Sequence, residues 1–171
     1  MFDKDLEQLL KEIKQIKNAA IVFDLDGVLI ESDEEKNKRD LYLKLNIKEK
    51  GSLHDFFFQL RNLYYQNKLD LLILTNRHPV CTREIFSIFK TKVICRNYCL
   101  TKKEMWEVVS SKEKTEKFLE RMVHEKTAIL NKIAKNFDKV FYFDDKMDIF
   151  NLEDFRQNII CFHVLPDTLI K

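Results

Sequence analysis

The 171-residue chain is poor in glycine: it has two, Gly27 and Gly51. Neither a Gly-x-Gly-x-x-Gly dinucleotide loop nor a Walker A phosphate loop can be written with them. That argues against nicotinamide redox chemistry and P-loop phosphoryl transfer. Long hydrophobic runs are also lacking, and none approaches the roughly 20 apolar residues of a membrane helix. Asp3, Lys4 and Asp5 open the chain and a helical pattern follows, so no secretory leader is expected. The cysteines, Cys81, Cys95, Cys99 and Cys161, form no Cys-x-x-Cys pair, and the histidines form no His-x-x-x-His. This spacing argues against zinc and predicts free thiols in a reducing, cytoplasmic compartment. Charge of one sign is not in excess: 30 Lys and Arg face 28 Asp and Glu, for a net +2. No global field for polyanions follows, though local patches stay open.

What the chain does contain is apolar residues, at 45%, interleaved with 34% charged ones. That mixture suits one domain with a buried core over residues 1–171. Residues 3–18 place Leu6, Leu9, Leu10, Ile13 and Ile16 at helical spacing, predicting an N-terminal helix within 1–18. Ala19 to Phe23 reads as a strand ending in Asp24. Residues 31–50 are mostly charged and read as a loop, so 29–52 forms at most a small flap or minimal cap. Ser52 reads as an N-cap with Asp55 three residues on. Leu53, Phe56, Phe57, Leu60, Leu63 and Tyr64 then form an amphipathic helix. Leu71–Leu74 is a strand ending in Thr75, residues 82–90 a helix, and Lys92–Cys95 a strand. Residues 102–136 are helical with a break near Ser110 and Ser111. Val140–Phe143 is a strand ending in Asp144 and Asp145, and Ile159–Val164 is the fifth.

Strands alternating with helices predict an α/β fold, a doubly wound three-layer α/β/α sandwich around a mainly parallel, five-stranded, Rossmann-like sheet. Ligands of such sheets bind beyond the carboxyl ends of the strands. Strands one, two and four end there in Asp24, Thr75 and Asp144.

Asp24 and Asp26 stand two residues apart at a strand end, and Gly27 lets the chain turn sharply behind them. A solvated Asp-Gly turn is the plain alternative. Asp144 and Asp145 add a second acidic pair at the same edge. Clustered carboxylates repel unless a cation neutralises them, and hard oxygen ligands suit Mg²⁺. Asp148 reads more as a helix N-terminal charge than as a further ligand. Thr75, Asn76 and Arg77 follow strand two, where a hydroxyl, backbone N–H groups and a guanidinium can bind a phosphate oxygen. A simple N-cap and a solvated arginine compete with that reading. Lys126 lies on the apolar stripe of Leu119, Met122, Val123, Ile129, Leu130 and Ile133. If a helix begins near it, its ammonium falls beside Asp144; snorkelling to water is the alternative.

Asp24-x-Asp26, Thr75, Lys126 and Asp144-Asp145, in this order, resemble the haloacid dehalogenase superfamily of phosphohydrolases over roughly residues 19–165. The resemblance implies a Mg²⁺-dependent phosphomonoester hydrolase. Asp24 would be the nucleophile that forms a phosphoaspartate, and Asp26 the general acid and base. Asp24, the Asp26 backbone carbonyl, Asp144 and Asp145 would hold Mg²⁺. Thr75, Asn76, Arg77 and Lys126 would bind the phosphoryl group. Val28 stands where many members carry threonine. The nearly capless chain implies a substrate that covers the site itself, such as a nucleic-acid end or a protein. The Thr75-Asn76-Arg77 and Lys126–Asn131 stretches are similar to phosphatase modules of polynucleotide end-repair enzymes. Arg96, Tyr98 and Trp106 read as packing residues more than as base-stacking ones. A catalytically silent binding or scaffold module, a small-molecule phosphatase on nucleotides or sugar phosphates, and a phosphotransferase are the competing readings. No membrane partner is expected, and the sequence leaves the oligomeric state open.

Overall fold

The computed structural model describes residues 2–30, 51–77, 79–95, 112–165 and 169–170. The expected flap at 31–50, the break at Ser110 and Ser111, and Arg96, Tyr98, Cys99 and Trp106 lie outside the described residues. Five parallel strands form the sheet: β1 (Ala19–Phe23), β2 (Asp70–Thr75), β3 (Lys92–Cys95), β4 (Lys139–Asp144) and β5 (Ile159–Val164). A short strand, β6 (Leu169–Ile170), adds antiparallel to β5 and was not expected from the sequence. The spatial order is β3-β2-β1-β4-β5-β6. The helices are α1 (Phe2–Gln15), α2 (Gly51–Tyr65), α3 (Thr82–Phe89) and α4 (Lys112–Ala134).

The central strands read as unbroken apolar runs because both their faces are covered. Ile21, Phe23, Leu71, Ile73, Phe141 and Phe143 pack in the layer that holds α1, α2 and α3. Ala20, Val22, Leu72, Leu74, Val140 and Tyr142 pack in the layer that holds α4. Period-two alternation thus divides each strand between two cores, giving three layers. Phenylalanine fills the first core. Phe143 stacks on Phe23 at 4.7 Å and on Phe162 at 4.6 Å, joining β1, β4 and β5. Phe57 of α2 meets Phe23 edge-on at 5.5 Å.

Three local expectations need correction. α1 ends at Gln15 rather than Lys17 or Asn18. α2 already includes Gly51, so Ser52 lies within its first turn instead of capping it. α4 runs through Lys126 without interruption, so no helix starts there. Phe118, Met122, Lys126, Leu130 and Ala134 form one buried i, i+4 ladder. Neither glycine nor proline occurs along it to stop the helix. Among the described residues no helix is long and apolar enough to cross a membrane.

The stacked rings make a measurable claim. Phe143→Ala should cost about 3–5 kcal/mol, the usual range for a large buried aromatic. Urea unfolding checks this, and a loss below about 1 kcal/mol would contradict the stacked core.

Candidate active site

The chain builds outward from β1 to β2 to β3, then returns to lay β4 on the other side of β1. The β1/β4 boundary is therefore the topological switch point, where a crevice opens at the carboxyl ends. Asp24 and Asp144 stand on its two sides. The Asp24 N–H donates to the Phe143 carbonyl at 2.9 Å, which fixes the two strand ends in register. Asp24 continues the row Ala20, Val22, and Asp144 continues the row Val140, Tyr142. Alternation turns both carboxylates toward the α4 layer.

From that layer α4 supplies Lys126. The rise from Lys126 to Ala134 is about 12 Å along a helix, and β4 runs back roughly 16 Å over its length. A mid-helix lysine thus reaches the far end of the strand. Its Nζ lies 3.2 Å from Asp24 Oδ1 and 3.2 Å from Asp144 Oδ2. The side chain is 1% exposed, so the ammonium is enclosed rather than snorkelling. Asp144 also accepts from the Tyr142 hydroxyl and from the Lys146 N–H at 2.8 Å.

Asp145 approaches the same crevice from above the turn after β1. Gly27 has φ +80°, and a Cβ on it would lie 2.3 Å from Asp145 Oδ2. Glycine is needed there twice, for the left-handed backbone and for the space the carboxylate occupies. Asp24, Asp144 and Asp145 bring ligand oxygens within 4.8 Å of one another. Burial, first, and the neighbouring Asp144, second, push the Asp145 carboxyl up to about 6. Burial also raises the Asp24 carboxyl well above its ordinary value; Lys126 opposes the shift, and Asp144, Asp145 and Asp26 reinforce it.

Asp26 and Arg77 form a second, adjoining unit. Arg77 is 1% exposed, and its Nη2 and Nε donate to Asp26 Oδ1 and Oδ2 at 2.7 and 2.9 Å. Thr75 Oγ1 accepts from the Arg77 N–H at 3.2 Å, and Thr75 itself is fully buried. The guanidinium expected to face a phosphoryl group thus grips a carboxylate. Asp26 adds no carboxylate oxygen to the close acidic triad. Asn76 donates to Met122 Sδ at 3.4 Å, one helical turn from Lys126. Asp148 is 67% exposed, 3.9 Å from His163 Nε2 and outside the triad.

A search of protein-family models, curated proteins and solved structures finds no match to this chain. Sequence reasoning missed three of its parts: the Tyr142 hydroxyl, the Arg77–Asp26 clamp, and His163, whose Nε2 lies 3.0 Å from the Asp145 carbonyl oxygen. Tyr142 was findable, standing two residues before Asp144 on one strand face. His163 becomes visible only once β5 is known to pair Asp144 with it.

Four carboxylates, Asp24, Asp26, Asp144 and Asp145, share this edge with two fully buried cations, Lys126 and Arg77. A divalent cation would offset the negative charge left over, and an all-oxygen donor set fits a hard ion such as Mg²⁺. Asp24, Asp144 and Asp145 are the residues that would hold it.

The raised carboxyls fix the sign of a pH effect. Stability from a group whose folded pKa is raised is full below its unfolded value and is lost as pH rises through the folded one. For Asp145 that window runs from the ordinary value of 3.8 to about 6. In EDTA the protein should melt lower at pH 8 than at pH 5, and Mg²⁺ should restore the loss at pH 8. Asp145→Asn should shrink both effects. Calorimetry across this range checks it; a melting temperature in EDTA that climbs from pH 5 to pH 8 would refute it. Gly27→Ala should weaken the Mg²⁺-induced rise in melting temperature, because the new methyl displaces Asp145.

Proposed function

We propose that the chain is a Mg²⁺-dependent phosphomonoester hydrolase of the haloacid dehalogenase type, working through a phosphoaspartate on Asp24. The observation that carries the reading is the Asp24 carboxylate in the switch-point crevice, 3.2 Å from the enclosed Lys126 ammonium and within the acidic triad. A carboxylate so placed has a fixed direction of attack and a cation beside the charge it must pass on.

In this reading Asp24 attacks phosphorus in line, forming its P–O bond as the bond to the leaving oxygen breaks. The departing oxygen takes a proton from Asp26. Water then attacks the phosphoaspartate, Asp26 takes the water proton, and the Asp24 carboxylate is freed. Bound Mg²⁺ supplies charge neutralisation on the phosphoryl oxygens. Lys126 contributes the same in part, from a position needing no rearrangement. Arg77 holds Asp26 by both oxygens, so its task is to orient the acid and base. Proton transfer then requires one of those two bonds to yield. Tyr142 and the Lys146 N–H orient Asp144. Asn76 and Thr75 lie at the β2 side of the crevice, where a phosphoryl oxygen would be received.

Phosphate release is the test, with a panel of an aryl phosphate, nucleotides, 3′- and 5′-phosphorylated oligonucleotides and a phosphopeptide. Mg²⁺-dependent turnover is expected, with a loss of roughly 10⁴-fold or more in Asp24→Asn, the scale of removing a nucleophile. Lys126→Met should lose about 10²–10³-fold in kcat, as other preorganised charge-stabilising groups do. An Asp24→Asn protein with unchanged turnover overturns the mechanism. Absence of turnover on every substrate, in protein that binds Mg²⁺, returns the chain to the binding-module reading.

A further inference from the structure

At the opposite, amino edge of the sheet lies an open groove of about 1080 Å³. Lys17 precedes β1, Lys68 precedes β2 and Lys92 begins β3, and all three line it. Adjacent strands are about 4.8 Å apart, so this row spans roughly 10 Å of backbone. Arg83 and Lys90 add two more cations from α3 and its C-cap. Among the described residues Asp70 is the one carboxylate in the lining, and Lys92 already binds it at 2.9 Å. Among the described residues no carboxylate pairs with Lys17, Lys68, Arg83 or Lys90.

Helix dipoles explain part of this charge. α2 and α3 both end at the groove, and each helix terminus is worth about half a negative charge. Two such ends and one paired carboxylate leave most of the five cations unanswered among the described residues. The chain as a whole carries only +2, so the excess is local.

The second observation is aromatic. Tyr65 is 54% exposed and Phe86 55%, and both line this groove. The Tyr65 hydroxyl donates to the Lys90 carbonyl at 2.9 Å, which holds its ring in place. Lys90 itself sits at φ +53° and Asn67, also in the lining, at φ +57°. These are left-handed positions that favour glycine, and one carries a cation instead.

We propose that this amino-edge groove binds single-stranded nucleic acid, with the cations along the phosphates and Tyr65 and Phe86 against the bases. Separated cations with exposed flat rings are the elements of sequence-tolerant strand binding. A single phosphate would engage two or three of the cations; the row and the α3 pair together call for several phosphates in succession. The proposal does not depend on the carboxylate edge being a phosphatase.

The test is fluorescence anisotropy of the full chain with fluorescein-labelled dT12 and rU12 across a salt series. Binding to at least one is expected, and the comparison assigns DNA or RNA. Lys17→Glu/Lys68→Glu/Arg83→Glu should weaken it at least ten-fold. It should also lower the salt slope by about two, at roughly 0.7 per phosphate contact. Phe86→Ala, at a position too exposed to unfold the chain, should weaken binding about five-fold or more, the scale of one lost base stack. Neither variant should change aryl phosphate turnover, which separates this groove from the carboxylate edge. No binding at 50 mM salt overturns the proposal. So does equal binding by wild type and both variants, or displacement by ATP at equal concentration, which would mark a mononucleotide site.

Discussion

The Lys126 ammonium, enclosed between Asp24 and Asp144, is the interaction on which the carboxyl edge depends. An unpaired charge at 1% exposure would be severely destabilising, and so would either carboxylate without its partner. The three groups come from three separate elements: the end of β1, the end of β4 and the middle of α4. Their mutual neutralisation fixes how far α4 slides along the sheet. A shift of one residue would rotate Lys126 by about 100° and take it off the buried ladder. The ladder itself, Phe118 to Ala134, is apolar at every other rung, so packing and charge select the same register.

Arg77 does for Asp26 what Lys126 does for Asp24, with a different geometry. Lysine presents a point charge that two carboxylates can share. Arginine presents a planar fork that one carboxylate fills. The result is one cation shared between Asp24 and Asp144 and one that grips Asp26 by both oxygens. The Arg77 backbone N–H is in turn held by Thr75, so the turn after β2 and the turn after β1 are tied together. That linkage gives Arg77→Lys a specific meaning: the charge would persist while the orientation of Asp26 would not.

Most of this was legible from the order of residue types. Strand ends marked by Asp24, Thr75 and Asp144 follow from apolar runs stopping at polar residues. The parallel sheet follows from their alternation with helical patterns. Lys126 was legible because a charge at i+4 from Met122 and i−4 from Leu130 has to lie on the apolar stripe. Its place in the middle of one long helix was not legible, since nothing local separates a continuous helix from one restarted near Lys126. The partner of Arg77 was equally hidden. A guanidinium after β2 can face a ligand or a carboxylate, and only the sheet order puts Asp26 within its reach. β6 has two residues and pairs at the edge, too little for any period to register.

Charge balance links the buried acidic triad to the cation it could hold. Burial lifts the Asp24 and Asp145 carboxyls together and the neighbouring carboxylates add to it, so taking up protons relieves the clustered negative charge. In the proposed reaction a protonated Asp24 would be a poor nucleophile, so the proton-relieved state would be stable but unreactive. A divalent cation held by the triad would relieve the same repulsion and leave Asp24 ionised. In the proposed reaction such an ion would therefore select the reactive protonation state as well as neutralise the phosphoryl group. Stability and activity should accordingly diverge in its absence, with low pH favouring the fold and withholding the nucleophile.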